Sequence, residues 1–439
     1  MKKQFAKTIG FVLLLACVAF SGLSPALDEG QTLAKWNPAF KFKENEEIPD
    51  QVRADTFQLV WETVRDKYYD PSFGGKDWNA IGARYKALAA GVKMSGEFHA
   101  LMGKMVAELG QSHLAVKAPH VVWAPTKSNP EALQWPEGIA LCVADGRIAI
   151  ASVVQDSPAG KAGLRPGFIL TKTGSEPFPP AEDIRKSTMR ALNMARRAVA
   201  GPAETSADMT VLDENDQEKT ISVPRTVFFQ ASANLGRSII EHRRVHPRVG
   251  YVRFDGWGID LKPKLEAAIK DLWDSDGLII DCRQNRGGVN PGVDYLSSVL
   301  FAEPGILGIE TPRKGERREW KHAGSGAAAY PGRVAILVDD GSGSASEVFA
   351  GALQEAGRAV ILGHTSYGGV LSSTQEPLPT GGLLQYPHSD LRTAKGKSIE
   401  GVGVVPDIPV EMTRADLLRG KDTVIERAVA AVLNTEKRK

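Results

Sequence analysis

Cysteine is scarce in this sequence of 439 residues, which contains only Cys17, Cys142 and Cys282. Cys17 lies in an apolar N-terminal segment, and the other two lie far apart in strand-like apolar runs. This distribution excludes a disulfide framework and a cysteine-rich zinc site. We expect Cys142 and Cys282 to be buried free thiols.

An excess of charge of either sign is also missing, since 54 basic residues balance 52 acidic ones to a net charge of +2. Such a chain has no overall field that would attract nucleic acid. After residue 20 no apolar run is long enough to cross a membrane. The length is sufficient for two or three domains with well-formed hydrophobic cores.

The first 27 residues have the pattern of an export signal. Three lysines lie among the first seven residues, and an apolar run from Ile9 to Phe20 follows. Leu14 to Cys17 resembles a bacterial lipobox, which would make Cys17 a lipidated first residue. Ordinary cleavage near Ala26 is the alternative. Either way we expect an exported protein, periplasmic or anchored to a membrane through Cys17, with residues 28–49 as a tether.

The most informative stretch runs from Val334 to Gly369. It predicts a buried strand, a Gly/Ser turn, a helix and a second buried strand. A turn of this kind lifts one residue to the carboxyl edge of a sheet and suits a serine nucleophile. Ser342, Ser344 and Ser346 are the candidates, although a serine there could also simply cap the helix.

The letters GSASE followed by VFAGALQEAGRAVILG resemble the nucleophile segment of the carboxyl-terminal processing (tail-specific) serine proteases. In that family the first serine of the motif is the nucleophile, which corresponds to Ser344. Members with a Ser/Lys dyad carry the lysine after the second strand. Gly369 occupies that position here, so the resemblance implies a base other than lysine at this point.

Residues 50–118 predict a helical region that ends at Gly110 and is followed by Gln111, Ser112 and His113. A histidine directly after a helix is often structural. The region nevertheless resembles the amino-terminal helices of the same family. In the tricorn-like branch, which lacks the lysine, a Ser-His pair at this point supplies the general base, and Ser112 and His113 match it.

Residues 124–226 contain short apolar strands separated by Asp-Gly and Ser-Pro turns. The run Ser157 to Gly167 resembles a PDZ domain of the bacterial protease type. The resemblance implies that Gly138, Ile139 and Ala140 bind the carboxyl terminus of a peptide that adds as a strand. A β module that only orients the chain is the alternative.

Residues 227–436 alternate strands and helices, which predicts a layered α/β core. The family resemblance implies a crotonase-like core, with the helical region before it and the PDZ-like domain inserted. The run 281–288, DCRQNRGG, resembles the family signature that supplies a glycine N–H to the oxyanion hole. Gly287 or Gly288 would act there together with the N–H of Ala345.

The last resemblance lies in SIEGVGVVPDI, where Glu400 matches a glutamate that completes the tetrad of the tricorn-like branch through the preceding serine. The implied function is that of an exported serine endopeptidase. Ser344 would attack the scissile carbonyl, His113 would carry the proton, and Glu400 with Ser112 would orient the imidazole. The resemblance implies polypeptide substrates and neither metal nor organic cofactor, and the oligomeric state stays open.

Three alternatives remain at this point. The chain could be an inactive peptide-binding scaffold, or a carrier of hydrophobic ligands on the same fold. A third possibility concerns only the base, since Lys395 or Lys397 could serve as a relocated lysine near Glu400. If His113 is the base, activity should rise with pH through one imidazole limb, with Glu400 favouring the charged form.

Overall fold

A computed structural model of the chain describes residues 42–119, 133–186, 188–228, 238–288 and 291–433. The chain has a mixed α/β architecture, as predicted. Three regions follow one another: a helical region, a β-rich region and an α/β core. The crotonase-like layering and the PDZ-like character of the β-rich region stay predictions. The possible lipidation site Cys17 lies outside the described residues.

The helical region contains three amphipathic helices and a short strand, namely α1 (Asp50–Lys67), α2 (Trp78–Ala90), α3 (Ser95–Ala107) and β1 (Ala115–Lys117). Asp77 caps α2 by accepting a hydrogen bond from the N–H of Ala80 at 2.9 Å. Gly110 has φ 68°, which stops the chain from continuing the helix after α3. Residues 42–49 pack against these helices and bury Ile48, so this part of the predicted tether belongs to the helical region.

The β-rich region is one antiparallel sheet with three helices. Its helices are α4 (Pro158–Lys161), α5 (Ala181–Lys186) and α6 (Thr188–Val199). Its strands are β2 (Gln134–Pro136), β3 (Ile139–Ala144), β4 (Arg147–Val153), β5 (Ile169–Thr173), β6 (Glu176–Pro177), β7 (Ser206–Leu212) and β8 (Glu218–Phe228). The strand order is β2-β8-β7-β5-β4-β3, with β6 beside β5. The strand β3 therefore lies at one edge of the sheet.

The α/β core follows from residue 238. Its helices are α7 (Leu261–Asp271), α8 (Pro291–Leu300), α9 (Ala345–Glu355), α10 (Arg414–Leu418) and α11 (Thr423–Leu433). Its strands are β9 (Ile240–His246), β10 (Val249–Phe254), β11 (Gly277–Asp281), β12 (Gly305–Pro312), β13 (Arg318–His322), β14 (Arg333–Val338), β15 (Ala359–Gly363), β16 (Ser372–Pro377), β17 (Leu383–Arg392) and β18 (Ile408–Pro409).

The central sheet of the core has the order β18-β15-β14-β11-β10-β9 and is parallel except for β9. Alternate residues of its strands enter two separate apolar layers. Leu278 and Ile280 pack against α7, α8 and α9, whereas Ile279 packs against α11. Burial on both faces explains why the strands are continuous apolar runs in the sequence.

A second, antiparallel sheet joins the helical region to the core, with the order β1-β17-β12-β13 and β16 beside β17. Leu384 and Tyr386 of β17 pack with the helical region, and Leu391 packs with the core. Because β1 begins two residues after His113, its pairing with β17 brings His113 to the core. This arrangement lets residues from distant parts of the sequence meet at one site.

The β-rich region is held to the core by buried charged groups. Arg414 of α10 donates to the carbonyl of Gly167 at 3.0 Å and pairs with Asp216 at 2.6 Å. Arg196 of α6 donates to Gln284 in the loop after β11. The helix α6 thus contacts the loop that follows β11.

Both cysteines of the described residues are free, as expected. Cys282 is buried and Cys142 is partly buried. No helix within the described ranges combines the length and apolar character needed to span a bilayer.

Candidate active site

The serine-rich turn connects β14 to α9, and only one of its three serines has a side chain available for chemistry. Ser342 is buried and donates to the carbonyl of Cys282 at 2.7 Å. Ser346 is also buried and donates to the carbonyl of Asn285 at 2.9 Å. Ser344 is only partly buried. Its φ of 54° is rarely adopted by a residue with a side chain, and such strain is typical of functional turns.

Glu347 stabilises this turn by accepting four hydrogen bonds. Its buried carboxylate accepts hydrogen bonds from the N–H of Ser344 at 3.0 Å and of Gly369 at 2.9 Å. The hydroxyl of Ser366 and the N–H of Gly368 donate to it at 2.5 Å each. Burial raises the pKa of Glu347 to about 7, although these hydrogen bonds act in the opposite direction. The sequence indicated only the capping part of this role.

Ser112 links His113 to Glu400. The Ser112 hydroxyl lies 2.8 Å from Nδ1 of His113 and donates to Oε2 of Glu400 at 3.0 Å. Its only proton is used in the bond to Glu400, so we assign the Nδ1–H of His113 as the donor to Ser112. The Nε2 atom of the neutral imidazole then has a free lone pair, as a general base requires.

Glu400 is fixed by backbone donors as well. The N–H of Ser112 donates to Oε1 at 3.1 Å, and the N–H of Val370 donates to Oε2 at 2.8 Å. Val370 directly follows Gly369, whose carbonyl accepts the N–H of Ser344 at 2.9 Å. One short segment of backbone thus holds both the turn of Ser344 and the carboxylate of Glu400.

The space at Gly369 explains why no lysine can stand at this position without rearrangement. A Cβ atom there would lie 2.6 Å from the ring of Tyr367 and 3.1 Å from Cβ of Ser112. Both distances are shorter than ordinary contacts. Ser112 and Tyr367 therefore occupy the room that a side chain at residue 369 would need.

The imidazole of His113 is neutral at physiological pH. Burial, together with the nearby cations Lys117 and Arg286, lowers the pKa of His113 to about 4. This direction differs from the sequence-based expectation, in which Glu400 favours the charged form. The sequence did not indicate that Lys117 and Arg286 lie beside the ring. Ser344 and His113 are not hydrogen-bonded to each other in this structure, so proton transfer requires their side chains to approach, as often happens when substrate binds.

The two candidate oxyanion glycines differ in their hydrogen bonds. The N–H of Gly287 donates to the buried side chain of Asn285 at 3.0 Å. Among the described residues the N–H groups of Gly288 and Ala345 have no such partner. Gly287 itself lies against the nucleophile, because a Cβ atom on it would be 2.6 Å from Cβ of Ser344. Gly288 and Ala345 are therefore the better pair of donors.

Other predicted residues lie elsewhere. Lys395 donates through Nζ to the carbonyl of Glu355 at 3.2 Å, at the C-terminal end of α9. Ser344 precedes the N-terminus of this 11-residue helix, about 16 Å away along its axis. Lys397 lines a surface hollow beside the same helix end. Both lysines therefore lie near the end of α9 that is remote from Ser344.

Gly138, Ile139 and Ala140 lie at the start of β3 in the β-rich region and not in the catalytic cluster. Further along this strand, Cys142 packs in an apolar cluster with Leu417 of the core. Within the described ranges no cluster of His, Cys, Asp and Glu side chains could hold a metal ion.

Comparison with known proteins finds two matching domain families. Residues 248–410 match the family described as Peptidase family S41, and residues 49–107 match the Tricorn protease C1 domain. A carboxy-terminal-processing protease of Bartonella bacilliformis is 29% identical over 300 residues, which cover 66% of this chain and 64% of the relative. The chain thus spans less than two thirds of the length of that relative.

Two further similarities cover more of the chain. The chloroplastic carboxyl-terminal-processing peptidase 3 of Arabidopsis thaliana is 24% identical over 425 residues, covering 93% of this chain and 77% of that protein. The solved photosystem II D1 C-terminal processing protease shares the fold with a TM-score of 0.57 and 20% identity, covering 83% of this chain and 94% of that chain. The two domain matches identify residues 248–410 as a domain of Peptidase family S41, the serine peptidase family to which the names of these relatives point, with a Tricorn protease C1 domain at residues 49–107 before it.

Proposed function

We propose that this protein is an exported serine endopeptidase that hydrolyses polypeptides through Ser344, His113 and Glu400. The observation that carries the proposal is the chain of hydrogen bonds from Glu400 through Ser112 to Nδ1 of His113. A histidine held in this way has the tautomer that a proton acceptor needs, beside the only serine of the turn that is not buried.

The reaction would begin when His113 Nε2 takes the proton of the Ser344 hydroxyl while Oγ attacks the scissile carbonyl. The oxygen of the tetrahedral intermediate would accept hydrogen bonds from the N–H groups of Gly288 and Ala345. His113 would then give its proton to the leaving amine, which leaves an ester on Ser344. A water molecule would cleave this ester by the same steps, with His113 again as base.

Glu400 would act at a distance through Ser112. The imidazole gains a positive charge in each transition state, and the carboxylate stabilises that charge through the intervening hydroxyl. Burial beside Lys117 and Arg286 opposes the same charge. We infer that this balance keeps His113 neutral in the resting protein and ready to accept a proton.

The β-rich region would present substrates by their carboxyl termini, in the manner of a PDZ domain. Its edge strand β3 pairs only with β4 among the described strands, and α6 packs beside it. An extended peptide could add to the free edge of β3 with its terminus near Gly138. The helix α6 beside β3 contacts the core, where Arg196 donates to Gln284 in the loop after β11.

Hydrolysis of an unfolded model protein tests the proposed activity. The wild-type protein should produce fragments, and Ser344→Ala should produce none under the same conditions. Absence of cleavage by a folded wild-type protein, or equal cleavage by the Ser344→Ala variant, would reject the proposal. The second result would show that another serine or a contaminating protease is responsible.

A further inference from the structure

Lys117, the last residue of β1, carries a charge for which the proposed reaction provides no counterion. Its Nζ atom is sealed from solvent and has no hydrogen-bond partner among the described residues. Burial, with a contribution from Arg286, lowers the pKa of Lys117 to about 8, so the amine is still mainly protonated at neutral pH. An unpaired buried ammonium is costly, so its position calls for a physical explanation.

The direction of the side chain follows from the alternation of the strand. Val116 packs against the core of the helical region, so its neighbours Ala115 and Lys117 face the other side of the sheet. That side belongs to the peptidase core. Arg286 lies there, next to Gly287, which almost touches Ser344. Lys117 and Arg286 therefore approach the candidate site from two different regions of the chain.

The described part of the chain supplies no carboxylate for this pair. Neither Lys117 nor Arg286 forms an ion pair there, and no carboxylate contributes to the pKa shift of either group. The two carboxylates of the site are already engaged, since Glu400 accepts hydrogen bonds from Ser112 and Val370 and Glu347 accepts four. Within the described ranges the pair is thus a cationic site near His113 and Ser344 that has no carboxylate partner.

The chemistry of the proposed reaction indicates which part of the substrate would bind there. His113 must lie between the Ser344 hydroxyl and the leaving amine, because it transfers a proton from one to the other. Both cations act on His113 and lower its pKa. Groups on this side of the imidazole would contact the fragment that leaves first, which is the C-terminal part of the substrate.

We propose that Lys117 and Arg286 form a subsite for a carboxylate on the leaving fragment of the substrate. This inference rests on the proposed peptidase function and adds a preference to it. The carboxylate could be an acidic side chain directly after the scissile bond, or the α-carboxylate of a leaving fragment of one to three residues. The chemistry of recognition is the same in both cases, and peptides can separate them.

The test uses matched peptides built on a bond that the full-length wild-type protein cleaves, identified by mass spectrometry in a digested model protein. One pair carries Glu or Gln directly after the bond, with a long amidated leaving fragment. A second pair carries a leaving fragment of two residues that ends in a free carboxylate or an amide. We expect the wild type to prefer the acid by at least about tenfold in kcat/KM in one pair, the size of one charge-assisted hydrogen bond.

Variants connect that preference to the subsite. Lys117→Met should reduce the ratio of acid to neutral kcat/KM to near one, and Lys117→Arg should keep much of it. Lys104→Met, which removes an exposed lysine from α3, is the matched control and should retain the wild-type ratio. Arg286→Met is the second test if Lys117→Met does not fold. No acid preference in either pair, or a preference that survives both Lys117→Met and Arg286→Met, would overturn the inference.

Binding to the Ser344→Ala variant separates this inference from the proposed reaction. Fluorescein-labelled peptides of the same two pairs should bind the variant more tightly as acids, and the difference should vanish when Lys117→Met is added. If the wild type cleaves no peptide, the proposed function fails and this binding difference alone decides the subsite. Equal binding of acids and neutral peptides would then reject the subsite too.

Discussion

The carbonyl of Gly369 accepts the N–H of Ser344 at 2.9 Å, while its Cα lies so close to Ser112 that an added Cβ would be 3.1 Å from the Cβ of that serine. One glycine therefore separates the candidate nucleophile from the residue that orients the candidate base. Related proteases with a Ser/Lys dyad have a lysine at the corresponding position. In this chain Gly369 occupies that position. Its carbonyl accepts the hydrogen bond from Ser344, and the absence of a side chain leaves room for Ser112.

Gly369→Ala should consequently impair catalysis more than folding. The methyl group would push against Ser112 and the ring of Tyr367, and displacement of Ser112 would move His113 from its orientation. We expect kcat to fall by at least about tenfold while the free energy of unfolding changes by less than about 2 kcal/mol. Kinetics on a cleaved peptide and urea denaturation would measure the two effects.

Gly103→Ala is the control for this change, because a Cβ there would meet only the carbonyl of Val116 at an ordinary 3.9 Å. This variant should keep the wild-type rate. Full activity of Gly369→Ala would mean that the geometry around Ser112 is not important for the rate. Recovery of activity in Gly369→Lys to the wild-type level would favour a Ser/Lys mechanism.

Replacing Ser344 and replacing Ser346 should have different effects on activity and on stability. Ser344→Ala should abolish hydrolysis and leave the free energy of unfolding within about 1 kcal/mol of wild type. Ser346→Ala should instead destabilise the protein by about 1–3 kcal/mol, because the buried indole N–H of Trp257 donates to the Ser346 hydroxyl at 2.9 Å and would lose its partner. Chemical denaturation and proteolysis assays of both variants would show whether the assignments are reversed.

The pH dependence should reflect the lowered pKa of His113. The neutral imidazole is the active form, so kcat/KM should stay level through neutral pH and fall as the pH drops towards about 4. The charged groups that face the ring are Lys117, Arg286 and, through Ser112, Glu400. Removing one cation with Lys117→Met should move the acid limb to higher pH.

The lowered pKa of His113 also changes the stability of the folded protein with pH. Stability must therefore be measured at each pH at which kcat/KM is determined. The unfolded chain binds the His113 proton near pH 6.5, whereas the folded protein binds it only near 4, so this group lowers stability as the pH falls through that range. Circular dichroism at each pH would separate unfolding from titration. A limb near 6.5 in the folded protein, unaffected by Lys117→Met, would show that the surroundings of His113 differ from this description.

Export and lipidation at Cys17 give a prediction about location. If the lipobox is processed, the protein should be found in the membrane fraction, and Cys17→Ala should release it. Labelling with a radioactive fatty acid would report the modification directly. A soluble mature protein that begins near Leu27 would reject lipidation and favour ordinary signal cleavage.

Capture of carboxyl termini by the β-rich region can be tested with long peptides. If backbone donors near Gly138 to Ala140 bind a terminal carboxylate, amidating a substrate with a leaving fragment of ten or more residues should raise KM. Such a fragment is too long for its terminus to reach Lys117, so this effect should persist in Lys117→Met. Equal KM for acid and amide would leave the region with an orienting role only.

Much of the core could be predicted from the sequence because its signals are local. The buried strand β14, the serine turn and α9 follow from the change from a continuous apolar run to helical spacing. The position of His113 after a helix end at Gly110 was equally visible. Similarity to a known family then indicated that these distant segments meet, which spacing alone could not have shown.

The remaining features depend on tertiary contacts that leave no local pattern. Lys117 reads as an ordinary charged residue at the end of a short strand, and only the pairing of β1 with β17 places it beside His113. Glu347 reads as a helix-cap residue, whereas four donors from two segments surround it. The choice between Gly287 and Gly288 also required the side chain of Asn285 to be seen.

The rate of fluorophosphonate modification, with mass identification of the modified residue, tests the central claim most directly, because it reports a serine activated by a base without any choice of substrate. The wild-type protein should be labelled on Ser344, and His113→Ala should react at least about a hundredfold more slowly. Glu400→Gln should lose less, since the imidazole stays in place. Labelling of another serine, or equal rates for wild type and His113→Ala, would contradict the account.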